Sequence, residues 1–512
     1  MIYFTGGITL KSFIKKAGAA AAVIALTATT LVSASLSFPA EAIAAKEQVY
    51  SGKAPKYIFM FIGDGMSYPQ VTSAMDYLGV MSGTGKVESK DLTFTAFPVV
   101  GSAQTFDSSS FAPDSASTAT SLATGKKTLS GVINMDETKT VKYETIAEKL
   151  KNQLGYKVGV VSSVNINHAT PAAYYAHQAS RGNYYEIGLE LTESKFDYFA
   201  GGDFLSRTGK NKDLKDIYEV AKEKGYTVIN TAEEFKSFND KSKKLIAITP
   251  TPADADSMSY AIDRKAGEIS LADYTKKGIE LLDNPKGFFL MVESGKIDWT
   301  CHANDAATSV KETIDFDESI EAAVDFYNKH PEETLILVTG DHETGGMTIG
   351  YSGTGYSTYL DLLARQKISF KEYDKKIAEF RENKASFENV MEDIRINFGL
   401  TLNTSPESAN TKKELILTDY EVERLKTAYN QSMLDVSERE VNPYDSLYSE
   451  YEPLSVTITH ILNNKAGIGW TSWWHTGLPV PVYAMGAGQN LFSGFYDNTD
   501  VFVNLKALTK VN

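Results

Sequence analysis

The sequence has only one cysteine, Cys301, among its 512 residues. A disulfide needs two cysteines, so no intramolecular disulfide forms and the fold depends on its hydrophobic core, for which a chain of this length is sufficient. A lone cysteine is compatible with the cytosol and also with many bacterial envelope or secreted proteins. The cellular compartment therefore has to be inferred from other features.

Positive charge is scarce as well. The 51 lysine and arginine residues are outnumbered by 65 aspartate and glutamate residues, which gives a formal net charge of -14. Phosphate backbones are bound by basic surfaces, and no cluster of basic residues offsets this acidity. We therefore expect no nucleic-acid partner.

Long apolar runs are confined to the N-terminus. There, three lysines precede an apolar run from about Ala17 to Val32, and Ser- and Ala-rich sequence leads to the A-x-A pattern Ala42-Ile43-Ala44. This order predicts a secretory signal peptide over residues 1–44. A membrane anchor is the alternative, but the run is short and diluted by threonine and serine. We expect a protein exported to the periplasm, cell envelope or extracellular space, without stable membrane insertion after cleavage.

From Lys56 onward, short apolar segments rich in aliphatic, aromatic and β-branched residues alternate with amphipathic segments. The predicted strands are Tyr57 to Ile62, Lys157 to Ser162, Gly287 to Val292, Thr334 to Thr339 and Pro481 to Met485. The predicted helices between them include Tyr143 to Gln153, Asp213 to Lys224, Leu271 to Leu282 and Ala306 to Asn328. This alternation predicts an α/β fold with a doubly wound, largely parallel central sheet flanked by helices, where ligands gather at the carboxyl ends of strands.

One region departs from this alternation. Residues 352–460 are charged and rich in tyrosine, with helical patches at Phe380 to Phe398 and Asp419 to Met433 and few strand-like runs. We interpret this region as an insertion that forms a smaller helical or irregular subdomain. Residues 45–512 are then one catalytic domain that contains the insertion.

Two motifs early in the chain are suited to catalysis. Asp64 lies between two glycines where the first predicted strand ends, so it is either a metal ligand or a turn residue that bonds its own backbone. Ser115 begins a run of small residues that predicts a helix through Thr124. The free N–H groups and positive dipole end of such a helix favour an anion such as a phosphoryl group, although Ser115 is equally suited to be a plain helix cap.

Candidate metal ligands follow the later strands. Asp298 and His302 are four residues apart, so a helix would turn both toward one ion. Asp341 and His342 are adjacent on a predicted loop and could bind one ion from two sides. His475 lies beside two tryptophans, where a packed histidine is the common alternative.

A further cluster lies after the second predicted strand. Pro171 suits the first turn of a helix that we predict to run to about Ser180. Arg181 would then lie near its end, where its guanidinium could bind a phosphate as a bidentate fork; an ordinary surface salt bridge is the alternative.

Taken in order, these segments resemble the alkaline phosphatase family over nearly the whole mature chain apart from the insertion. Any one of the motifs is weak, but the ordered set is specific. The matching signatures are Gly63-Asp64-Gly65-Met66, Asp114-Ser115-Ala116, His168-Ala169-Thr170-Pro171-Ala172-Ala173, Ala176-His177 with Arg181, Val292-Glu293 with Asp298 and His302, Asp341-His342, and His475-Thr476-Gly477.

The resemblance implies a homodimeric phosphomonoesterase that acts on small phosphate monoesters with two zinc ions and one magnesium ion. Ser115 would form a covalent phosphoserine, and Arg181 would hold the phosphoryl oxygens. The implied metal ligands are Asp298, His302 and His475 for one zinc; Asp64, Asp341 and His342, with Ser115 in the free enzyme, for the other; and Asp64, Thr170 and Glu293 for magnesium. Imidazole and carboxylate suit zinc, and oxygen ligands suit magnesium.

Two positions depart from the best-known bacterial pattern of the family. His168 stands where that pattern has an aspartate two residues before the threonine ligand, and Trp299 stands where it has a lysine after the zinc-binding aspartate. Other members also have histidine at the first position. Without this anion and cation near the phosphate, we expect weaker magnesium binding and faster release of product phosphate.

Three alternatives to a phosphomonoesterase are considered. A phosphodiesterase or a sulfatase of the same metal-dependent superfamily would share the metal-binding core. The sequence lacks the Cys-x-Pro-x-Arg motif of sulfatases, and the combination of Ser115, Arg181, Thr170 and Glu293 favours the extra charge of a monoester. An exported metal- or phosphate-binding protein without activity would not need an activated nucleophile.

Overall fold

In a computed structural model of the chain, the structure describes residues 52–439 and 447–512. The predicted signal peptide lies outside the described residues. Among the described residues, no helix combines the length and the apolar composition that are needed to cross a lipid bilayer.

The fold is built on a ten-stranded sheet. Its strands are β1 Tyr57–Gly63, β2 Val99–Gln104, β3 Lys157–Asn165, β4 Tyr198–Gly202, β5 Tyr226–Ile229, β6 Lys244–Ile248, β7 Phe288–Ser294, β8 Thr334–Gly340, β15 Val480–Gly486 and β16 Gly494–Asp497. Their order across the sheet is β16-β2-β15-β8-β1-β7-β3-β4-β6-β5. β15 runs antiparallel to β8 and β2, and the other neighbouring pairs are parallel. The predicted α/β fold with a largely parallel sheet is confirmed.

Three small pairs of strands lie outside this sheet. They are β9 Glu343–Thr344 with β14 His475–Thr476, β10 Thr348–Ile349 with β13 Ile468–Gly469, and β11 Thr401–Leu402 with β12 Ile416–Leu417. The first pair joins the chain after β8 to the segment that carries His475.

Helices cover both faces of the sheet, which explains why its central strands are almost continuously apolar. Along β1, Phe59 and Phe61 pack into one core, while Met60 and Ile62 pack into the other. The α-helices are α1 Tyr68–Met81, α2 Ser115–Thr124, α3 Ile146–Lys149, α4 Ala169–Ala172, α5 Tyr184–Glu193, α6 Ile217–Glu223, α7 Ala232–Ser237, α8 Leu271–Leu282, α9 Lys296–His302, α10 Ala306–Tyr327, α11 Phe370–Glu382, α12 Phe387–Phe398, α13 Asp419–Ser432, α14 Pro453–Ala466 and α15 Thr499–Thr509. A π-helical turn, Leu150–Leu154, continues α3.

Two predicted helices are wrong. The segment Phe380 to Phe398 is not one helix, because α11 ends at Glu382 and Ser386 caps the start of α12 by accepting a hydrogen bond from the Asn389 N–H. The helix predicted from Pro171 to about Ser180 is a single turn, α4, after which Gln178 forms an antiparallel bridge with Ile133. In both places, local capping or a distant partner overrides the helical pattern of the sequence.

The register of the three central strands brings the candidate residues together. Gly63 at the end of β1 pairs with Ser294 of β7 and with Gly340 of β8. The chain segments that follow these strands therefore leave the sheet at the same edge, which is where parallel α/β sheets bind ligands.

The region of residues 352–460 contains α11, α12, α13 and the start of α14. Tyr373, Ile394 and Leu425 from this region belong to the same buried cluster as Phe59 of β1. The side chains of the region therefore pack into the main core on one side of the sheet.

Candidate active site

Ser115 is the first residue of α2 and is almost completely buried. Asp114 caps this helix by accepting a hydrogen bond from the Ser117 N–H at 3.1 Å. Small side chains fill the helix, and all ten of its residues are buried, so its N-terminus is held firmly against the sheet edge. The Ser115 Oγ lies 3.1 Å from the Nε2 atom of His342.

The first group of candidate ligands consists of Asp64, Asp341 and His342, which we call the inner group. The Nε2 atom of His342 lies 3.3 Å from Asp64 Oδ1 and 3.5 Å from Asp341 Oδ2. All three side chains are buried, and one ligand atom from each lies within 4.8 Å of the others. Asp341 also accepts hydrogen bonds from the backbone N–H groups of Gly65 and His342, which fix its orientation.

The second group consists of Asp298, His302 and His475, which we call the outer group. Helix α9 brings Asp298 and His302 to the same side, with 3.4 Å between Oδ2 and Nε2. The β9–β14 pair brings in His475, whose Nε2 lies 3.5 Å from Asp298 Oδ1 and 3.1 Å from His302 Nε2.

The tautomers of the outer histidines follow from their hydrogen bonds. The Nδ1 atoms of His302 and His475 lie 2.5 Å from the carbonyl oxygens of Trp473 and Pro113, respectively. Since a carbonyl oxygen only accepts, each Nδ1 carries the proton, and each neutral ring has an unprotonated Nε2. Two nitrogen lone pairs and the Asp298 carboxylate then meet at one point, which is the arrangement of a metal site with oriented ligands.

A third group lies deeper, around Glu293 and Asp64. Thr170 Oγ1 donates to Asp64 Oδ2 at 3.3 Å, and one ligand atom each from Asp64, Glu293 and His168 lie within 4.8 Å of one another. The sequence suggested His168 only as a modulator of the site, whereas its ring is close enough to be a candidate ligand.

The electrostatics of these groups indicate a need for cations. Burial and the neighbouring carboxylates Asp341 and Asp298 raise the pKa of Asp64 well above its usual value. Burial likewise raises the pKa of Glu293 to about 8 and that of Asp341 to about 7. Among the described residues, Asp64 Oδ1 and Glu293 Oε1 have no hydrogen-bond partner. Buried carboxylates of this kind require protons or bound cations, so these residues fit a metal centre.

Arg181 lies in the same cleft as Ser115 and is held by an ion pair. Its Nη1 donates to Asp114 Oδ2 at 2.9 Å, and its Nη2 lies 3.4 Å from His168 Nε2. Burial and the Arg181 charge lower the pKa of His168 to about 3, so His168 is neutral at physiological pH. Ser115, Arg181, His168 and Trp299 line one cleft of about 520 Å³.

Three supporting residues were not predicted from the sequence. Ser162 donates to Glu293, with which it pairs in register between β3 and β7. Thr344 donates to Asp298 Oδ1 at 2.5 Å and lies 3.3 Å from His342 Nδ1, so it joins the inner and outer groups. Asp114 belongs to the signature Asp114-Ser115-Ala116, but its role as the partner of Arg181 depends on contacts that the sequence does not reveal.

Comparison with known proteins agrees with this geometry. The alkaline phosphatase family model matches residues 55–200 and 196–511. The chain is 32% identical to alkaline phosphatase 4 of Bacillus subtilis over 487 residues, which cover 94% of each protein.

Two solved structures extend the comparison. The cold-active alkaline phosphatase of a psychrophilic Shewanella sp. superposes with a TM-score of 0.72 at 27% identity, covering 88% of this chain and 99% of that one. A histidine-to-aspartate variant of TAB5 alkaline phosphatase, with magnesium bound in its M3 site, superposes with a TM-score of 0.59 at 25% identity, covering 90% and 99%. With buried carboxylate and imidazole groups around Ser115 and a family match over almost all of residues 55–511, the chain belongs to the alkaline phosphatase family and is a metal-binding enzyme that hydrolyses phosphate monoesters.

Proposed function

We propose that this enzyme hydrolyses phosphate monoesters through a covalent phosphoserine at Ser115. The observation that carries the proposal is the contact of 3.1 Å between Ser115 Oγ and His342 Nε2 at the N-terminus of a buried helix. Thr344 donates to Asp298 and so accepts from His342 Nδ1, which leaves the Nε2 unprotonated and facing the serine hydroxyl. A hydroxyl at the point where this lone pair and two carboxylates would hold a cation is suited to act as a nucleophile, because the cation would lower its pKa.

The residues fit two zinc ions and one magnesium ion. The outer group would hold one zinc and the inner group, with Ser115, the other, because imidazole and carboxylate are the ligands that zinc prefers. Asp64, Thr170 and Glu293 would hold magnesium through oxygen atoms, and the magnesium bound in the TAB5 variant supports such a site. When bound, the cations would lower the pKa values of the serine hydroxyl and of water and would neutralise charge on the leaving oxygen.

The chain's own groups would hold the phosphoryl group for an in-line displacement. Free N–H groups in the first turn of α2 and the Arg181 guanidinium would bind its equatorial oxygens, while Asp114 keeps Arg181 in place. Ser115 Oγ loses its proton to solvent and attacks phosphorus, the bond to the alcohol oxygen breaks, and that oxygen leaves beside the outer group and takes up a proton from water. Water then attacks the phosphoserine from the side that the alcohol has vacated, which releases inorganic phosphate and restores the serine hydroxyl.

The remaining proposals concern the whole protein. The N-terminal sequence pattern supports export after removal of residues 1–44. The family resemblance described above supports assembly as a homodimer. Residues 45–512 would be one catalytic domain, in which residues 352–460 are an insertion that forms a rim of the site or part of the dimer interface.

The test of the proposal compares two serine substitutions within α2. Ser115→Ala is expected to lower the hydrolysis of an aryl phosphate at alkaline pH by more than about a thousandfold, because the nucleophile is lost. Ser121→Ala in the same helix is the matched control, since Ser121 Oγ bonds only the Ser117 carbonyl among the described residues. Chelation is expected to abolish activity in the wild type.

Acid quenching during turnover, followed by peptide mass spectrometry, should locate the phosphoryl group on Ser115. Wild-type activity in the Ser115→Ala variant, or phosphorylation at another residue, would disprove the mechanism. Faster cleavage of a phosphate diester than of the monoester would make the phosphodiesterase reading the better one.

A further inference from the structure

Two tryptophans, Trp299 and Trp474, line the same cleft as Ser115. Each is a sequence neighbour of an outer-group residue, since Trp299 follows Asp298 and Trp474 precedes His475. The metal-binding and phosphoryl-binding roles proposed above use neither indole ring. Their place beside the outer group therefore calls for another explanation.

Trp474 is an exposed aromatic residue on a fixed backbone. Its side chain is 62% exposed. The backbone N–H of Trp474 donates to Ser472 Oγ at 2.9 Å, and its backbone carbonyl accepts from the Gly345 N–H at 2.9 Å. Its ring also makes an edge contact with His302, with 5.9 Å between the ring centroids. An indole held in this way loses little conformational freedom when it binds a ligand.

Two more exposed apolar residues lie on segments close to Trp474. Phe111 and Leu478, which are 85% and 43% exposed, lie on neighbouring segments. The segments touch, because a Cβ atom placed on Gly477 would lie 2.8 Å from the Phe111 carbonyl oxygen. We call Phe111, Trp474 and Leu478 the apolar lip. Exposed apolar residues near the rim of a catalytic cleft are available to contact the apolar part of a ligand.

Trp299 is a half-buried and well-packed partner in the cleft. Lys296 Nζ lies 4.7 Å from the centre of its ring, and the His168 ring meets it edge-on with centroids 6.0 Å apart. Among the described residues, Lys296 Nζ has no hydrogen-bond partner, and it also lies 3.7 Å from the centre of the Tyr260 ring. The Trp299 ring is therefore held in place before any substrate arrives.

The two indole rings lie where the alcohol portion of the substrate is expected to extend. This inference rests on the proposed function. In an in-line displacement by Ser115, the alcohol oxygen leaves on the side opposite the attacking Oγ, next to the outer group. The rest of the alcohol then extends into the cleft past the neighbours of Asp298 and His475. Those neighbours are Trp299 and Trp474.

We infer that the cleft selects phosphate monoesters whose alcohol portion carries a planar aromatic ring, such as nucleoside 5′-monophosphates. Trp474 stacks on that ring and is the specificity-determining residue, while Trp299 forms a fixed apolar wall. Stacking of a base on an aromatic side chain is sequence-tolerant because every base has a π-face. The preference is thus for any alcohol portion that carries a planar aromatic ring and not for one particular base.

The test uses adenosine 5′-monophosphate and ribose 5-phosphate. Both esters release the same primary alcohol of ribose, so the bond that breaks is chemically equivalent, and only the first carries a base. For the wild type, the ratio of the two kcat/KM values is expected to be about ten, within the range that stacking provides. Trp474→Ala is expected to lower the ratio to about two, and Trp474→Phe to retain most of it.

A second readout measures binding without turnover. In the Ser115→Ala background, isothermal titration with the same two esters should give a ratio of dissociation constants of about ten that Trp474→Ala removes. Phe495→Ala is the matched control, because Phe495 is 63% exposed on β16 and does not line the cleft. This control is expected to leave both ratios unchanged.

The outcomes separate the inference from the proposed function. A wild-type ratio near one, with both esters hydrolysed, would overturn the inference and leave the phosphomonoesterase mechanism intact. A parallel fall for both esters in Trp474→Ala would also overturn it, since Trp474 would then only support His302 and His475. If Ser115→Ala hydrolysed both esters normally, the proposed mechanism would fail instead.

Discussion

The inner and outer groups contain the same kinds of side chain but differ in charge balance and exposure. In the inner group, Asp64 and Asp341 meet one histidine, and all three side chains are at most 1% exposed. In the outer group, one aspartate meets two histidines whose side chains are 14% and 18% exposed. The inner group is therefore buried and sets two carboxylates against one imidazole, while the outer group is open to the cleft and sets one carboxylate against two imidazoles.

The pKa shifts of the aspartates follow this difference. Burial and neighbouring carboxylates raise the pKa of Asp64, and burial raises that of Asp341 to about 7. Burial alone would also raise the pKa of Asp298, but His302 and His475 outweigh it and hold the pKa well below its usual value. Burial opposes a charge on His302, but Asp298 raises its pKa, so in the chelated protein His302 can take up a proton at Nε2 that offsets the carboxylate. Burial lowers the pKa of His342, so the inner group depends on a bound cation instead.

The largest expected effect comes from removing one inner charge. Asp64→Asn should lower kcat/KM by about a thousandfold, because a ligand shared by two proposed metal positions is lost. The same change should stabilise the chelated protein by about 1 kcal/mol at pH 8, because it removes a buried carboxylate that Asp341, Asp298 and Glu293 repel. Activity assays and thermal melts with and without chelator would measure the two effects.

The matched variant in the outer group is Asp298→Asn. It should also lower activity, yet it should destabilise the chelated protein, because it removes the anion that His302 and His475 share. If both variants stabilised the chelated protein equally, the proposed difference in charge balance between the groups would be wrong.

Much of the fold and the site was predictable for one physical reason. Central parallel strands are buried on both faces, so β1, β7 and β8 are recognisable as apolar runs, and catalytic residues follow their ends. The helices α8 and α10 also agree with their predicted ranges within one residue at each end. Edge strands such as β5 and β16 were missed, since β5 is only partly buried and no residue of β16 is fully buried.

The supporting contacts of the site were not predictable. Ser162 and Thr344 are common residue types, and only strand register and loop geometry turn them toward Glu293 and Asp298. The same holds for His168, whose distance from Asp64 and Glu293 depends on the short helix α4 that the sequence pattern overextended. Local sequence signals identify ligands at strand ends better than they identify the residues that orient those ligands.

A smaller effect is expected from restoring charge around the deep site. His168→Asp combined with Trp299→Lys adds an anion next to Glu293 and a cation in the cleft. The double variant should bind magnesium more tightly, because the added carboxylate attracts the cation. Inorganic phosphate should inhibit it at about tenfold lower concentration, because the added lysine attracts the anion. Steady-state inhibition and magnesium titration would measure these changes, with His168→Asn as the uncharged control. Unchanged phosphate inhibition would refute the expectation that His168 and Trp299 favour product release.

The smallest effect concerns His177, a histidine that lies beside two glutamates away from the proposed metal positions. His177 lies 3.4 Å from Glu148 and 3.7 Å from Glu190, a ratio of one imidazole to two carboxylates like that of the inner group. Here the imidazole gains a proton: burial opposes its charge, but hydrogen bonds to the two glutamates raise its pKa to about 9.

The raised pKa of His177 sets a pH window for stability. Because the folded pKa lies above the unfolded value of about 6.5, the stabilisation is fully present below pH 6.5 and is lost as the pH rises through 9. Since both glutamates are partly exposed, His177→Gln should cost about 1 kcal/mol at pH 6 and almost nothing at pH 10. Urea unfolding at the two pH values would measure this, with His330→Gln as the control. An equal loss at both values would mean that His177 stabilises the fold by packing alone, and that only the metal sites of this enzyme respond to charge balance.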